Sequence, residues 1–200
     1  MTRRLLIALS LAVFPAAGVT SHAQDPMRRD ADGMVRKLEA IAARGKRPVA
    51  NARPMRTTFT DSEVNAYFKV YGKTFLPQGV VDPQLAIEQG GRVRAKSLVD
   101  LDAIRASKPR GWLDPLGYVK GKLEVTATGT LTAGDGRGAF ALESATVGGI
   151  TVPKSVLQEL VSYYSRTPEL PAGVNIDQPF PLPSQIRTVE TLPGAATVVQ

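Results

Sequence analysis

The chain has 200 residues, 25 Lys and Arg against 18 Asp and Glu, a formal charge of +7, one histidine and no cysteine. That length suits one domain with a real core. Without cysteine there is no disulfide, no thiolate nucleophile and no sulfur-ligated metal. The lone histidine, His22, lies in the N-terminal leader. The rest of the chain therefore lacks the means for Ser-His or Cys-His catalysis and for zinc sites built on nitrogen ligands.

Residues 1–23 read as a signal peptide. Arg3 and Arg4 form a basic start, Leu5 to Val19 is apolar, and Ser21-His22-Ala23 sets small residues three and one before a cut after Ala23. Pro15 interrupts the apolar run, which falls short of the roughly 20 residues that a spanning helix needs. No cysteine near the junction could carry a lipid anchor. The expectation is a periplasmic or secreted protein whose charge is +5 once Arg3 and Arg4 are removed. Nucleic acid is scarce outside the cytoplasm and is not expected as a partner. An anionic membrane surface is the more available one, and the same charge also serves plain solubility.

Residues 24–56 divide into a helix and a basic linker. Met27, Ala31, Met34, Val35, Leu38, Ile41 and Ala42 recur at helical spacing, and Gly45 suits the stop. The charged opposite face fits a helix packed on a sheet or one lying on a membrane. Lys46 to Arg56, with Pro48 and Pro54, has no periodicity.

Residues 57–200 read as a single domain. Thr60 as N-cap with Glu63 forms a capping box, and Phe59 with Val64 forms a hydrophobic staple. The helix so started presents Val64, Tyr67, Phe68 and Tyr71 to one side before Gly72. Gln84 to Gln89 is a short strand, Gly90-Gly91 a hairpin turn, and Arg92 to Ala103 a second strand. That strand sets Val93, Ala95, Ser97, Val99, Leu101 and Ala103 on one face. A loop containing Lys108, Arg110 and Trp112 follows.

The long hairpin from Tyr118 to Val147 is the centre of the chain. Val119, Gly121, Leu123, Val125, Ala127, Gly129 and Leu131 alternate with Lys120, Lys122, Glu124 and a run of threonines. Ala133 to Gly138 supplies the turn. On the return strand, alternation sets Phe140 and Leu142 opposite Ala139, Ala141, Glu143, Ala145 and Val147. The apolar face is poor in volume, so either a helix comes very close or a guest fills the space. Beyond it lie Ile150 to Val152, a helix opened by Pro153 with Val156, Leu157, Leu160, Val161 and Tyr164 in its stripe, and a proline-rich segment from Thr167 to Pro183. A last hairpin, Gln185 to Glu190 with Ala195 to Val199, turns at Pro193-Gly194. The fold class expected is α+β, a curved antiparallel meander of about six strands wrapped on two or three amphipathic helices.

Little in this pattern can do chemistry. Asp100 and Asp102 share a polar strand face, Asp135 lacks the further ligands of a calcium loop, and Glu143 has no evident catalytic partner. No phosphate loop follows a strand. The reading is a protein without catalytic residues, cofactor or metal. Two features suggest binding instead. Lys108, Arg110 and Trp112 fit a membrane interface, although Trp112 could equally close the end of the sheet. Val64, Tyr67, Phe68, Val93, Val99, Leu101, Leu123, Val125, Phe140, Val156 and Leu160 could line an apolar groove or make up an ordinary core.

The stretch Phe59-Thr60-Asp61-Ser62-Glu63-Val64-Asn65-Ala66-Tyr67-Phe68 is similar to the Thr-x-x-Glu-Leu-Asn opening of several exported bacterial lipid-binding domains. Val152-Pro153 opening a helix and Leu170 to Val174 before the closing strands fit the same style. The chain resembles the periplasmic phospholipid-binding family related to the tubular lipid-binding superfamily, with Val64 in place of leucine and an unusual proline-rich segment. The resemblance implies a non-enzymatic protein that cradles a lipid or other apolar small molecule between a helix and a curved sheet. A cell-envelope protein–protein interaction module with a filled core is the alternative.

Overall fold

The structure, a computed structural model, describes residues 25–47, 53–107, 121–166 and 170–200. Helix α1 (Pro26–Lys46) begins where the Asp25 carboxylate accepts a hydrogen bond from the Met27 N–H at 3.1 Å. Proline in the first turn loses nothing there, because its missing N–H would have had no helical partner. Ala31 and Ile41 of the expected apolar stripe are buried.

Strand β1 (Arg56–Thr60) leads directly into helix α2 (Asp61–Tyr71). The capping box forms as expected. Thr60 Oγ1 accepts from the Glu63 N–H at 3.3 Å, and Glu63 Oε2 accepts from the Thr60 N–H at 3.0 Å. Phe59, expected only as the staple, is also the one buried residue of β1. That strand was not anticipated, because Arg-Thr-Thr-Phe-Thr carries a single apolar side chain. It pairs with β9 (Ala195–Val199), which pairs in turn with β8 (Thr188–Leu192), the expected closing hairpin.

The larger sheet is an open antiparallel meander. Its order is β2 (Val80–Ile87), β3 (Arg92–Asp100), β4 (Lys122–Gly134), β5 (Arg137–Val147) and β6 (Ile150–Thr151), with β7 (Phe180–Pro181) joined to the other end of β5. The architecture is therefore α+β, with a six-stranded meander as the sequence suggested. Val93, Ala95, Ser97 and Val99 of β3 stand opposite Gly129, Ala127, Val125 and Leu123 of β4, so the small apolar residues do share one face. Asp135 and Gly136, with φ of 50° and 74°, make the β4–β5 turn.

Two sequence expectations need correction. The β4–β5 register slips between Thr128, opposite Ser144, and Gly129, opposite Leu142, so Glu143 is an extra residue. One inserted residue reverses the alternation beyond it. Leu142 and Phe140 consequently share the face of Ala145 and Val147, rather than the opposite one. Glu143 lies on the polar side, 3.0 Å from Arg92 and accepting from Thr130 Oγ1 at 2.7 Å. The second correction concerns Leu101, which belongs to no strand. The Asp100 carboxylate accepts from the N–H groups of Asp102 and Ala103, at 3.1 and 3.0 Å, and starts helix α3 (Leu101–Ser107) there.

Helix α4 (Lys154–Tyr164) has Pro153 as its cap residue, one position before the place expected for it. Gln158 and Ser165 tie the proline-rich segment to this helix. Gln158 bonds to both the Val174 carbonyl and the Ile176 N–H, at 3.0 and 2.8 Å, and Ser165 Oγ accepts from the Val174 N–H at 2.7 Å.

The core sits to one side of the long sheet. Ile41, Phe59, Val64 and Val198 form its centre, flanked by Met34, Leu38, Met55, Phe68, Ile186, Val189 and Leu85. Only Leu85 among these comes from the six-stranded meander. Helices α1 and α2 and the three-stranded sheet thus supply most of this core.

Candidate ligand site

The site is built where α2 closes the outer edge of β2. An edge strand exposes N–H and C=O groups that need partners. Asn65 satisfies both groups of Leu85: its Nδ2 donates to the carbonyl at 2.9 Å and its Oδ1 accepts from the N–H at 2.7 Å. Asp61 accepts from the Ile87 N–H at 3.0 Å, and the Ile87 carbonyl accepts from the Gly194 N–H at 2.8 Å. Helix start, edge strand and closing hairpin are thereby joined at one point.

Helix α1 locks this arrangement from the other side. Lys37 Nζ lies 2.6 Å from Glu63. Burial opposes the charge of Glu63, but the hydrogen bonds from Lys37 and from the Thr60 N–H outweigh it and lower the pKa below the ordinary carboxylate value. Tyr71 donates its hydroxyl to the Asp32 carboxylate, and that bond raises the phenol above its ordinary pKa.

Past this anchored portion, the C-terminal end of α2 carries an aromatic cluster. Tyr67 stacks on Phe75 with ring centroids 5.0 Å apart, and Phe68 meets Phe75 at 6.2 Å. Phe75 itself remains 45% exposed. Beside the cluster is an open cavity of about 380 Å³, floored by Phe68, Leu76, Pro77, Val80 and Val81 and rimmed by Lys69, Lys73 and Asp82. A second cavity, of about 370 Å³, adjoins it across Lys69, Asp82 and Pro83 and reaches Met27, Asp30 and Ser62. The Lys69–Asp82 ion pair, 3.3 Å long, stands between the two. Asp82 holds a positive φ of 48° at an irregularity in β2, where the register shifts between Val81 and Gln84.

The sequence candidates fall into separate places. Phe68 lines the cavity and also touches the core, Tyr67 belongs to the aromatic cluster, and Val64 is buried in the core. Val93, Val99, Leu123 and Val125 share the apolar face of β3 and β4, where Val99 stands directly opposite Leu123. All four are half-buried and outside that core. Phe140 lies on the same face beyond the register slip, half-buried with its ring against Gly129. Leu101 is buried at the start of α3, Val156 is exposed on α4, and Leu160 is half-buried there. Lys108, Arg110, Trp112 and the leader, residues 1–23, lie outside the described residues.

Sequence reasoning missed Lys69, Lys73, Leu76, Val80 and Asp82. The available signal was the aromatic series Tyr67, Phe68, Tyr71 and Phe75, which continues past Gly72 and marks an apolar surface beyond the end of the helix. The opposite face of the sheet is a ladder of opposite charges. Arg92 and Arg94 meet Glu88, Lys96 meets Glu124 at 2.7 Å, and Lys122 meets Asp100 at 3.8 Å.

No known protein family and no curated protein matches the chain. A solved lipopolysaccharide binding protein is similar in structure over 73% of this chain, at 16% identity and a TM-score of 0.23. The match spans 40% of that protein's length.

Proposed function

We propose that this is an exported, non-enzymatic protein that binds a lipid or similar apolar small molecule at the junction of α2 and β2. The observation that carries the reading is the cavity itself, with Phe68, Leu76, Val80 and Val81 as an apolar floor and exposed Phe75 beside it. Concave apolar surface with a few polar groups at its rim is the usual form of a small-molecule site. The mechanism is burial: each methylene removed from water contributes about 0.8 kcal/mol. A partly covered chain is then held while remaining free to exchange.

The test is organic extraction of the purified protein followed by mass spectrometry, together with titration of a neutral apolar fluorophore. Saturable binding that weakens in Val81→Asp is expected, since Val81 is 38% exposed and its replacement spares the core. A protein that carries no extractable lipid and shows no saturable binding would refute the reading. The rival is a cell-envelope interaction module, and Ile150, 73% exposed on the two-residue edge strand β6, favours it. Retention of a protein partner that depends on Ile150 and not on Val81 would select that rival.

A further inference from the structure

We propose that the α2–β2 cavity selects an amphiphile with one apolar chain and an anionic head, a carboxylate or a phosphate, which Lys73 and Lys69 hold at the rim. This rests on the apolar-binding reading above and adds the head group to it.

Charge is the first argument. Lys69 and Lys73 are the cations lining this cavity, and Asp82 is its one acid. Lys69 is 3.3 Å from Asp82, whereas Lys73 makes no ion pair among the described residues. By contrast, Arg92, Arg94, Lys96 and Lys122 on the sheet all have acidic partners. Lys69 lies near the end of α2 and Lys73 four residues on, in the 3-10 turn Gly72–Thr74. Like charges at this spacing repel, and an anion between them relieves that repulsion.

Competition is the second. The Lys69–Asp82 pair is open to solvent, with 59% and 45% of its side chains accessible. Such a pair is weakly held, so an incoming anion can share Lys69 or take it from Asp82. Gln84 Nε2, 3.5 Å from Asp82 Oδ2, remains to receive the displaced carboxylate. Size is the third argument. A volume of about 380 Å³ is near the lower end for small-molecule sites, enough for one chain lying over Phe68, Leu76 and Val80.

Isothermal titration with dodecanoate, dodecyl phosphate and dodecanol tests the proposal, because the three share a chain and differ in the head. At least one anion should bind about tenfold more tightly than the alcohol, and the anion preferred identifies the head. Lys73→Gln should remove most of that preference, while Lys73→Arg retains it. Asp82→Asn should strengthen anion binding by up to about fivefold, as Lys69 is freed. Lys73 is exposed, and an unchanged thermal midpoint confirms that its variants fold. Equal affinity for all three compounds would overturn this inference and leave the apolar-binding reading intact. Failure of all three to bind would overturn both.

Discussion

Asn65 acts towards Leu85 as a neighbouring strand would, meeting both its N–H and its carbonyl with one amide side chain. The edge of β2 is closed by a helix in this way, and the cavity follows from it, because α2 can leave the strand only beyond its anchored first turns. Asn65→Leu should cost about 2–4 kcal/mol, since two partly buried backbone groups lose their partners. Asn65→Asp should fall between, keeping the acceptor for the N–H but facing the carbonyl with a carboxylate. Urea unfolding measures the loss, and faster hydrogen exchange at the Leu85 amide shows where it arises.

Lys37 and Glu63 join α1 to α2 at 2.6 Å, and this contact makes stability depend on pH. Folding lowers the pKa of Glu63 from its ordinary 4.5. The contribution is therefore complete above that unfolded value and is lost as pH falls through the lower folded one. As pH falls below 4.5 the native protein should lose more stability than Glu63→Gln does. Glutamine keeps an acceptor for the capping box without the charge. Parallel pH profiles for the two proteins would remove the ion pair from this account.

Gly129 makes room for Phe140. A Cβ added at Gly129 would stand 2.4 Å from Phe140 Cζ and 2.6 Å from the Ala141 carbonyl oxygen. Gly129→Ala should destabilise by about 1–3 kcal/mol through overpacking. Adding Phe140→Leu should recover only part of that, because the backbone oxygen stays in place. A double-mutant cycle on thermal or urea unfolding separates the two clashes.

Trp112 and its basic neighbours Lys108 and Arg110 remain a proposed membrane contact on sequence grounds. Trp112→Ala should weaken co-sedimentation with anionic vesicles and leave neutral vesicles unaffected. Unchanged sedimentation would remove those residues from any account of membrane approach.

Much of the local structure could be read directly from short stretches. Thr60 and Glu63 announce a helix start because a capping box needs only four consecutive residues. Asp135-Gly136 announces a turn because few residues accept positive φ. The alternation of β3 and β4 shows as well, since side chains in a strand change sides at every residue. The short similar stretch around Thr60 to Asn65 takes on a structural meaning in the fold. Thr60, Asp61, Glu63, Val64 and Asn65 are, respectively, cap, edge partner, α1 contact, core residue and strand mimic.

What only the folded chain decided lies between elements distant in sequence. Alternation fits β5 with or without Glu143 counted, and pairing with β4 alone reveals the extra residue. Nothing in Arg56 to Phe59 marks a strand until β9, from the far end of the chain, lies beside it. The rim of Lys69, Lys73 and Asp82 exists because α2 is pinned to β2 at Leu85 and Ile87. Propensity and capping act over a few neighbouring residues, so a sequence displays them. Edge closure and cavity shape depend on which surfaces pack together, and only the packed molecule fixes that.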